Sequence, residues 1–157
     1  MIPKLKRVGY VMEFTLFNWE DLLKCTETFV QVFNQEPWND QWSMETAKQY
    51  LLDYINTPGF MGIVAVEGKE IIGFIFGAHK LWWSGGEFFI NEMCVSIEKQ
   101  NTGVGSKLLK YLMNELNIER VSNISLLTDR GIPAEAFYKK HGFTEINRLM
   151  FLTKEMK

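Results

Sequence analysis

The side chains able to do chemistry gather in a few short runs. The first is QNTGVGS, residues 100–106, where Gly103 and Gly105 stand just ahead of an apolar helical pattern and a polar Gln100 opens the run. The first N–H groups of a helix have no intrahelical partner, and the helix dipole makes that end positive. Glycine lets the backbone approach a ligand closely and take angles that other residues avoid. A strand, a glycine turn and a helix start therefore form a cradle for an anion, phosphate above all. On the glycines alone, the run serves equally well as a plain strand-to-helix turn. It is not a Walker loop, which needs a G-K-[ST] ending, and it lacks the third glycine of the dinucleotide fingerprint.

A second run, EPWNDQW at 36–42, sets Glu36 and Asp40 among Trp38 and Trp42. Acids mixed with indoles suit a cationic amine, through ion pairing and cation–π contact. The same tryptophans would equally anchor the loop on a core. Trp82 and Trp83, ahead of a long strand, either extend that aromatic wall or hold their own turn. Cys25 and Cys94 form no CxxC, and His79 and His141 have no spaced Cys or acid partners, so no metal site is expected. A nucleophilic cysteine needs a partner that lowers its pKa, and Cys94 has none in the pattern, so it reads as core.

These residues sit in a chain of 157 amino acids, the length of one domain with a buried core. Hydrophobic residues make up 46% and aromatics 14%, which excludes a disordered protein. The net charge of −2 gives no electrostatic case for nucleic acid or an anionic membrane. No apolar run approaches the roughly 20 residues of a membrane span. The opening MIPKLKRVGYVMEF has basic residues without the apolar stretch and cleavage site of a signal peptide, so a cytoplasmic protein is expected. Monomer and homodimer both remain open.

The elements that must position the two runs alternate along the chain. Tyr10–Leu16 reads as a strand. Asn18 caps a helix to about Asn34, with Glu20 and Asp21 in its first turn. Residues 35–42 form a loop, and Ser43 caps a second helix ending near Ile55. After the break at Asn56–Gly59, Phe60–Val66 and Ile71–Ala78 form a hairpin around Glu67-Gly68-Lys69. A turn at Trp82–Gly86 leads to a long strand, Phe88–Ile97. Val104, Leu108, Leu112 and Leu116 recur every four residues, with Leu109 and Met113 beside them, which predicts an amphipathic helix. A short strand follows at Ile124–Thr128. Ala134–Lys140 is a helix stopped by His141-Gly142, and Phe143–Ile146 and Leu149–Leu152 close the chain as strands. The expected fold is a single α/β domain over residues 1–157. Its sheet is mixed and mostly antiparallel, with about four helices and a parallel pair from the crossover between Phe88 and Thr128.

In this context the glycine run takes on a sharper meaning. The segment NEMCVSIEKQNTGVGSKLL resembles the signature of the GNAT superfamily of acyl-CoA-dependent N-acyltransferases, a strand ending in Val followed by Q/R-x-x-G-x-G/A and a helix. Gln100, Gly103 and Gly105 match it position for position. AEAFYKKHGF, 134–143, is similar to the second family motif, A-x-x-F-Y-x-x-x-G-F, at Ala134, Phe137, Tyr138, Gly142 and Phe143. The element order fits the family along the whole chain.

The resemblance implies acetyl-CoA as co-substrate, with no metal, and direct attack by an amine in a ternary complex. Its pyrophosphate would lie on Gln100, Asn101, Thr102, Gly103, Val104, Gly105 and Ser106. The strand carrying Met93 and Val95 would splay from the strand at Ile124–Thr128 and take the pantetheine arm as an added strand. The Met93 N–H would polarise the thioester carbonyl, and Phe137 would contact the coenzyme. Tyr138 would be the acid that protonates the leaving thiolate. Glu92, on the central strand beside the thioester, is the candidate base, acting directly or through water. Side chains alternate along a strand, so Glu92 and Asn91 share a face only if a bulge intervenes. The early helices and their loop would shape the acceptor pocket, with Glu36, Trp38 and Asp40 meeting a cationic amine: a polyamine, an aminoglycoside-like molecule or a peptide. One departure is RGIPA, which has Gly131 and Pro133 where many members carry Asn, so one coenzyme contact is in doubt. The alternative reading is a non-catalytic acyl-CoA sensor or regulatory module.

Overall fold

The computed structural model describes residues 9–157; the basic opening residues 1–8, part of the stretch read above for targeting features, lie outside the described residues. The chain divides at Leu127 into two compact units.

The first unit is built on a five-stranded mixed sheet with strand order β1-β2-β3-β4-β5. Its elements follow in sequence: β1 (Met12–Leu16), α1 (Leu22–Phe33), α2 (Met44–Ile55), β2 (Phe60–Glu67), β3 (Glu70–Trp82), β4 (Gly85–Val95), α3 (Val104–Ile118) and β5 (Val121–Leu126). The first four strands pair antiparallel with their sequence neighbours, and β4 pairs parallel with β5 across the α3 crossover. Local chemistry sets the starts. Asp21 accepts from the Asn18 N–H (2.8 Å) in a short 3₁₀ turn ahead of α1. At α2 the Thr46 N–H donates to Ser43 Oγ (3.0 Å) while the Ser43 N–H donates to Thr46 Oγ1 (3.1 Å). The pair satisfies two donors that the helix start would otherwise leave open.

In β3, every residue from Ile71 to Gly77 is buried, the mark of a strand covered on both faces. One face carries Phe74, Phe76 and Cys94 against α1 and α2, through Phe29, Leu51 and Cys25. The buried Thr28 hydroxyl ties α1 to the sheet by donating to the Ile71 carbonyl (2.8 Å). The opposite face receives α3: a Cβ on Gly73 would meet Leu108 Cδ1 at 3.1 Å. Burying a side chain the size of Phe29, Phe74 or Phe76 stabilises by about 1.5–3 kcal/mol.

Two irregularities aim the residues that matter. The β3–β4 register slips between Phe76 and Gly77, so Ile90 pairs with Gly77 and Glu92 with Phe76, leaving Asn91 as the extra residue. That is the bulge on which the facing of Glu92 depended. Gly77 permits it, because a Cβ there would lie 2.4 Å from the Phe89 carbonyl oxygen and from the Phe88 ring. The parallel ladder between β4 and β5 ends at Ile90 and Leu126, while β4 itself runs on to Val95.

The second unit, residues 128–157, holds α4 (Pro133–Lys140). Proline at the first helical position suits a site where no N–H is needed, and Gly142 leaves the helix at φ +87°. The two strands expected at Phe143–Ile146 and Leu149–Leu152 are not formed. Phe143 instead packs on the Tyr138 ring (centroids 5.5 Å apart), and the Leu149 N–H turns back to the Ile146 carbonyl (3.1 Å). Apolar alternation gives a segment strand propensity, but a strand exists only where a neighbour completes its hydrogen bonds.

Candidate active site

The glycine turn is built for an approach from outside. Gly103 caps α3 in the left-handed region, φ +89°, and a Cβ placed on it meets nothing within 4 Å. Asn101 is also left-handed, φ +60°. The Gln100 side chain donates back to the Val95 carbonyl (3.1 Å) and the Thr102 hydroxyl to the Lys99 carbonyl (2.5 Å), so the turn is fastened to the end of β4 by its own side chains. Lys107 N–H is bonded to the Gly103 carbonyl (3.1 Å), which starts the helical ladder. The N–H groups of Val104, Gly105 and Ser106 precede it, and the first turn of α3 carries no acidic residue to offset its dipole. The open Gly103 position and the uncompensated helix start fit a coenzyme pyrophosphate.

Across β4, on the face turned to α1 and α2, Glu92 is held in a group of aromatic side chains. The Tyr50 hydroxyl donates to Glu92 Oε1 and lies 3.1 Å from the Tyr54 hydroxyl. The Tyr50 ring packs tilted against Trp42 (4.9 Å) and Phe29 (5.6 Å) and edge-on against Tyr54 (5.0 Å). Trp42 Nε1 donates to Asp40 Oδ2 (3.0 Å). Burial pushes the Glu92 carboxyl up to about 7; the Tyr50 hydrogen bond opposes the rise and the negative charge of Asp40 adds to it. A carboxyl titrating there accepts a proton at neutral pH far more readily than an ordinary glutamate.

Other sequence candidates fall elsewhere. Asp40 reaches the Glu92 group through Trp42, but Trp38 packs half-buried on Phe33 (4.8 Å), as a loop anchor does. Glu36 lines an open cavity of about 430 Å³ with Asn34, Gln35, Asn39, Ile97 and Gln100, which sets it beside the glycine turn. Trp82 and Trp83 stand exposed at the tip of the β3–β4 hairpin, 57% and 89% accessible. Cys25 and Cys94 are free and buried, and burial pushes both thiols up, away from a thiolate nucleophile. Met93 pairs with Ile75 on the strand face opposite Glu92. Among the described residues, no group of three His, Cys, Asp or Glu is placed to hold a metal ion. His79 lies 2.8 Å from a Glu119 oxygen, and the His141 ring contacts the Phe137 carbonyl (2.8 Å).

In the second unit Tyr138 is half-buried on α4, its ring against Phe137 (5.3 Å) and Phe143 (5.5 Å). The turn at Gly131 is organised by Glu135, whose carboxylate accepts from the Gly131 N–H (3.1 Å) and from Lys139 (3.2 Å).

A profile of the acetyltransferase (GNAT) domain matches residues 58–145, from β2 through α4. The chain belongs to the GNAT acetyltransferase family. Solved structures agree in fold. A possible acetyltransferase from Clostridium difficile 630 superposes with a TM-score of 0.78 at 15% identity, covering 93% of this chain and 99% of its own. An aminoglycoside acetyltransferase, meta-AAC0020, from an uncultured soil metagenomic sample in complex with sisomicin, gives 0.72 at 16% identity, covering 93% and 97%. AAC(6')-Iy in complex with the bisubstrate analog CoA-S-monomethyl-acetylneamine gives 0.72 at 14% identity, covering 93% and 99%. No curated protein sequence gives a significant match. No helix among the described residues of this GNAT chain is long and apolar enough to cross a membrane.

The sequence reading missed Tyr50, Tyr54 and the part played by Trp42. Their signal was present but ambiguous. Tyr50 and Tyr54 stand four apart on one helix face, a spacing that reads first as core packing.

Proposed function

We propose that this GNAT protein is an N-acetyltransferase that moves the acetyl group of acetyl-CoA to an amine by direct attack in a ternary complex. Acetyl-CoA, when bound, supplies an activated acetyl thioester. The chain's own residues do the rest. Gln100 to Ser106 hold the pyrophosphate, and β4 from Met93 to Val95 orients the pantetheine arm. An acceptor amine is mostly protonated at neutral pH, and only its neutral form attacks. Glu92, tuned to about 7 by burial, takes the proton that the nitrogen loses as the N–C bond forms. The C–S bond breaks, and the departing thiolate receives its proton from Tyr138, a role carried by the family motif at Phe137-Tyr138.

The observation that carries this reading is the half-buried, hydrogen-bonded Glu92 on β4, the strand whose end is tied to the open glycine turn by Gln100. An acyl-CoA sensor has no use for such a carboxyl. The acceptor is proposed to be a cationic amine, because two carboxylates, Glu92 and Asp40, stand among the rings of Trp42 and Tyr50. The aminoglycoside acetyltransferases among the structural relatives support a small polyamine-like acceptor.

The test is thiol release from acetyl-CoA across matched cationic and neutral amines. Release with the cationic set and little with the neutral set is expected. Equal rates for the two sets would refute the charge argument.

A further inference from the structure

A carboxylate base works best when one oxygen is held so that the other is aimed at the acceptor. The group that holds one of them sits on α2. Tyr50, in the middle of α2, donates a hydrogen bond from its hydroxyl to Glu92 Oε1. A hydroxyl has one proton to donate and lone pairs to accept with. While Glu92 is ionised, the proton of Tyr50 goes to the carboxylate, and the 3.1 Å contact with Tyr54 is one in which Tyr54 donates and Tyr50 accepts. The two phenols thus form a one-way chain that ends on Glu92. Ring contacts hold Tyr50 in place, with Trp42 and Phe29 tilted against it and Tyr54 edge-on at 85°.

We propose that Tyr50 is the positioning residue for Glu92: braced by Tyr54, it pins Oε1 and leaves Oε2 for the acceptor amine. This rests on the acetyltransferase reading of Glu92 as base. Burial and the neighbouring Glu92 charge push the Tyr50 hydroxyl's pKa upward, so it stays a donor at every working pH. The charged or titratable groups around Glu92 are Asp40 from the loop, Tyr50 with Tyr54 behind it from α2, and the Cys94 thiol on its own strand, which in turn meets Cys25 of α1.

A merely structural tyrosine would be replaced by phenylalanine without changing how Glu92 titrates. A hydrogen bond to a charged acceptor contributes enough that its loss should raise the Glu92 midpoint by about one pH unit. The experiment is a carbon-13 NMR titration of the Glu92 carboxyl in the ligand-free full chain, wild type and Tyr50→Phe, with circular dichroism to confirm folding. The midpoint is expected near 7 in the wild type and about one unit higher in the variant. The acid limb of kcat/KM should move by the same amount, and coenzyme affinity should be unaltered. An unmoved Glu92 midpoint in a folded Tyr50→Phe protein overturns the proposal. Should that variant fail to fold, Tyr54→Phe carries the test: a smaller upward movement supports the chain, and none overturns it. Failure of the underlying reading looks different. A Glu92→Gln protein with full activity removes the base role while the titration still reports the Tyr50 bond.

Discussion

Glu92→Gln should make the protein more stable at alkaline pH while disabling it. Burial is the main cause that pushes the Glu92 carboxyl up to about 7 in the folded chain, against about 4.5 for an ordinary glutamate. A raised folded value means that the folded state holds this proton more tightly than the unfolded chain. Its contribution is therefore fully present below about pH 4.5 and is lost as pH rises through 7. The difference of about 2.5 pH units corresponds to about 3 kcal/mol at 1.36 kcal/mol per unit. Local relaxation and water reaching the half-buried side chain bring the expected figure to about 1–3 kcal/mol. Glutamine is isosteric with the neutral acid and still offers an oxygen to Tyr50. The variant should exceed the wild type by under about 1 kcal/mol at pH 5 and by the full amount at pH 8. Taking the difference cancels the exposed carboxylates of Glu135 and Glu145, which Gly131 with Lys139 and Arg130 hold below the usual range. Urea unfolding at pH 5, 6, 7 and 8 reads the quantity directly. A stability difference that stays constant across this range would refute the claim that Glu92 is stored in a proton-favouring site.

Three more outcomes follow from the same geometry. Gly103→Val places a side chain in open space at φ +89°, costing about 1–3 kcal/mol of backbone strain. The protein should stay folded but lose acetyl-CoA binding by calorimetry, and unchanged affinity would contradict the cradle. Tyr138→Phe should lower kcat by roughly 10²–10⁴ and remove the alkaline limb of its pH profile, whereas a pocket-wall tyrosine would leave both intact. Asp40→Asn, alone or with Glu36→Gln, should raise KM for a cationic amine more than it lowers kcat. Asp40→Asn should also move the acid limb to lower pH, because the Asp40 charge raises Glu92; an acid limb that stays in place would break the electrostatic link.

The glycine turn and α3 were legible because their causes are local. Apolar residues every four positions specify the helix, and glycine is the residue that accepts φ +89° at its cap. The Ser43 cap and the Gly68 hairpin were readable for the same reason. The bulge at Asn91 was not readable, since it depends on Gly77 of a neighbouring strand allowing two backbones to close in. Tyr50 was missed because nothing in its own helix marks its partner, which lies 42 residues away. The closing apolar segments have strand propensity, but propensity does not supply a neighbour for the ladder. Trp38 and Trp42, identical in type and close in sequence, differ in surroundings: one anchors the loop on Phe33 while the other links Asp40 to Tyr50.

The most direct test of the central claim follows the acetyl group itself. Acetyl-CoA carrying carbon-13 in the acetyl group is incubated with the full chain and a mixture of cationic amines, and the products are read by mass spectrometry and NMR. The account predicts labelled amide on a cationic amine nitrogen, formed in step with free coenzyme A and abolished in Gly103→Val. Saturable binding of acetyl-CoA with no label on any amine would contradict it and leave a coenzyme-sensing protein in its place.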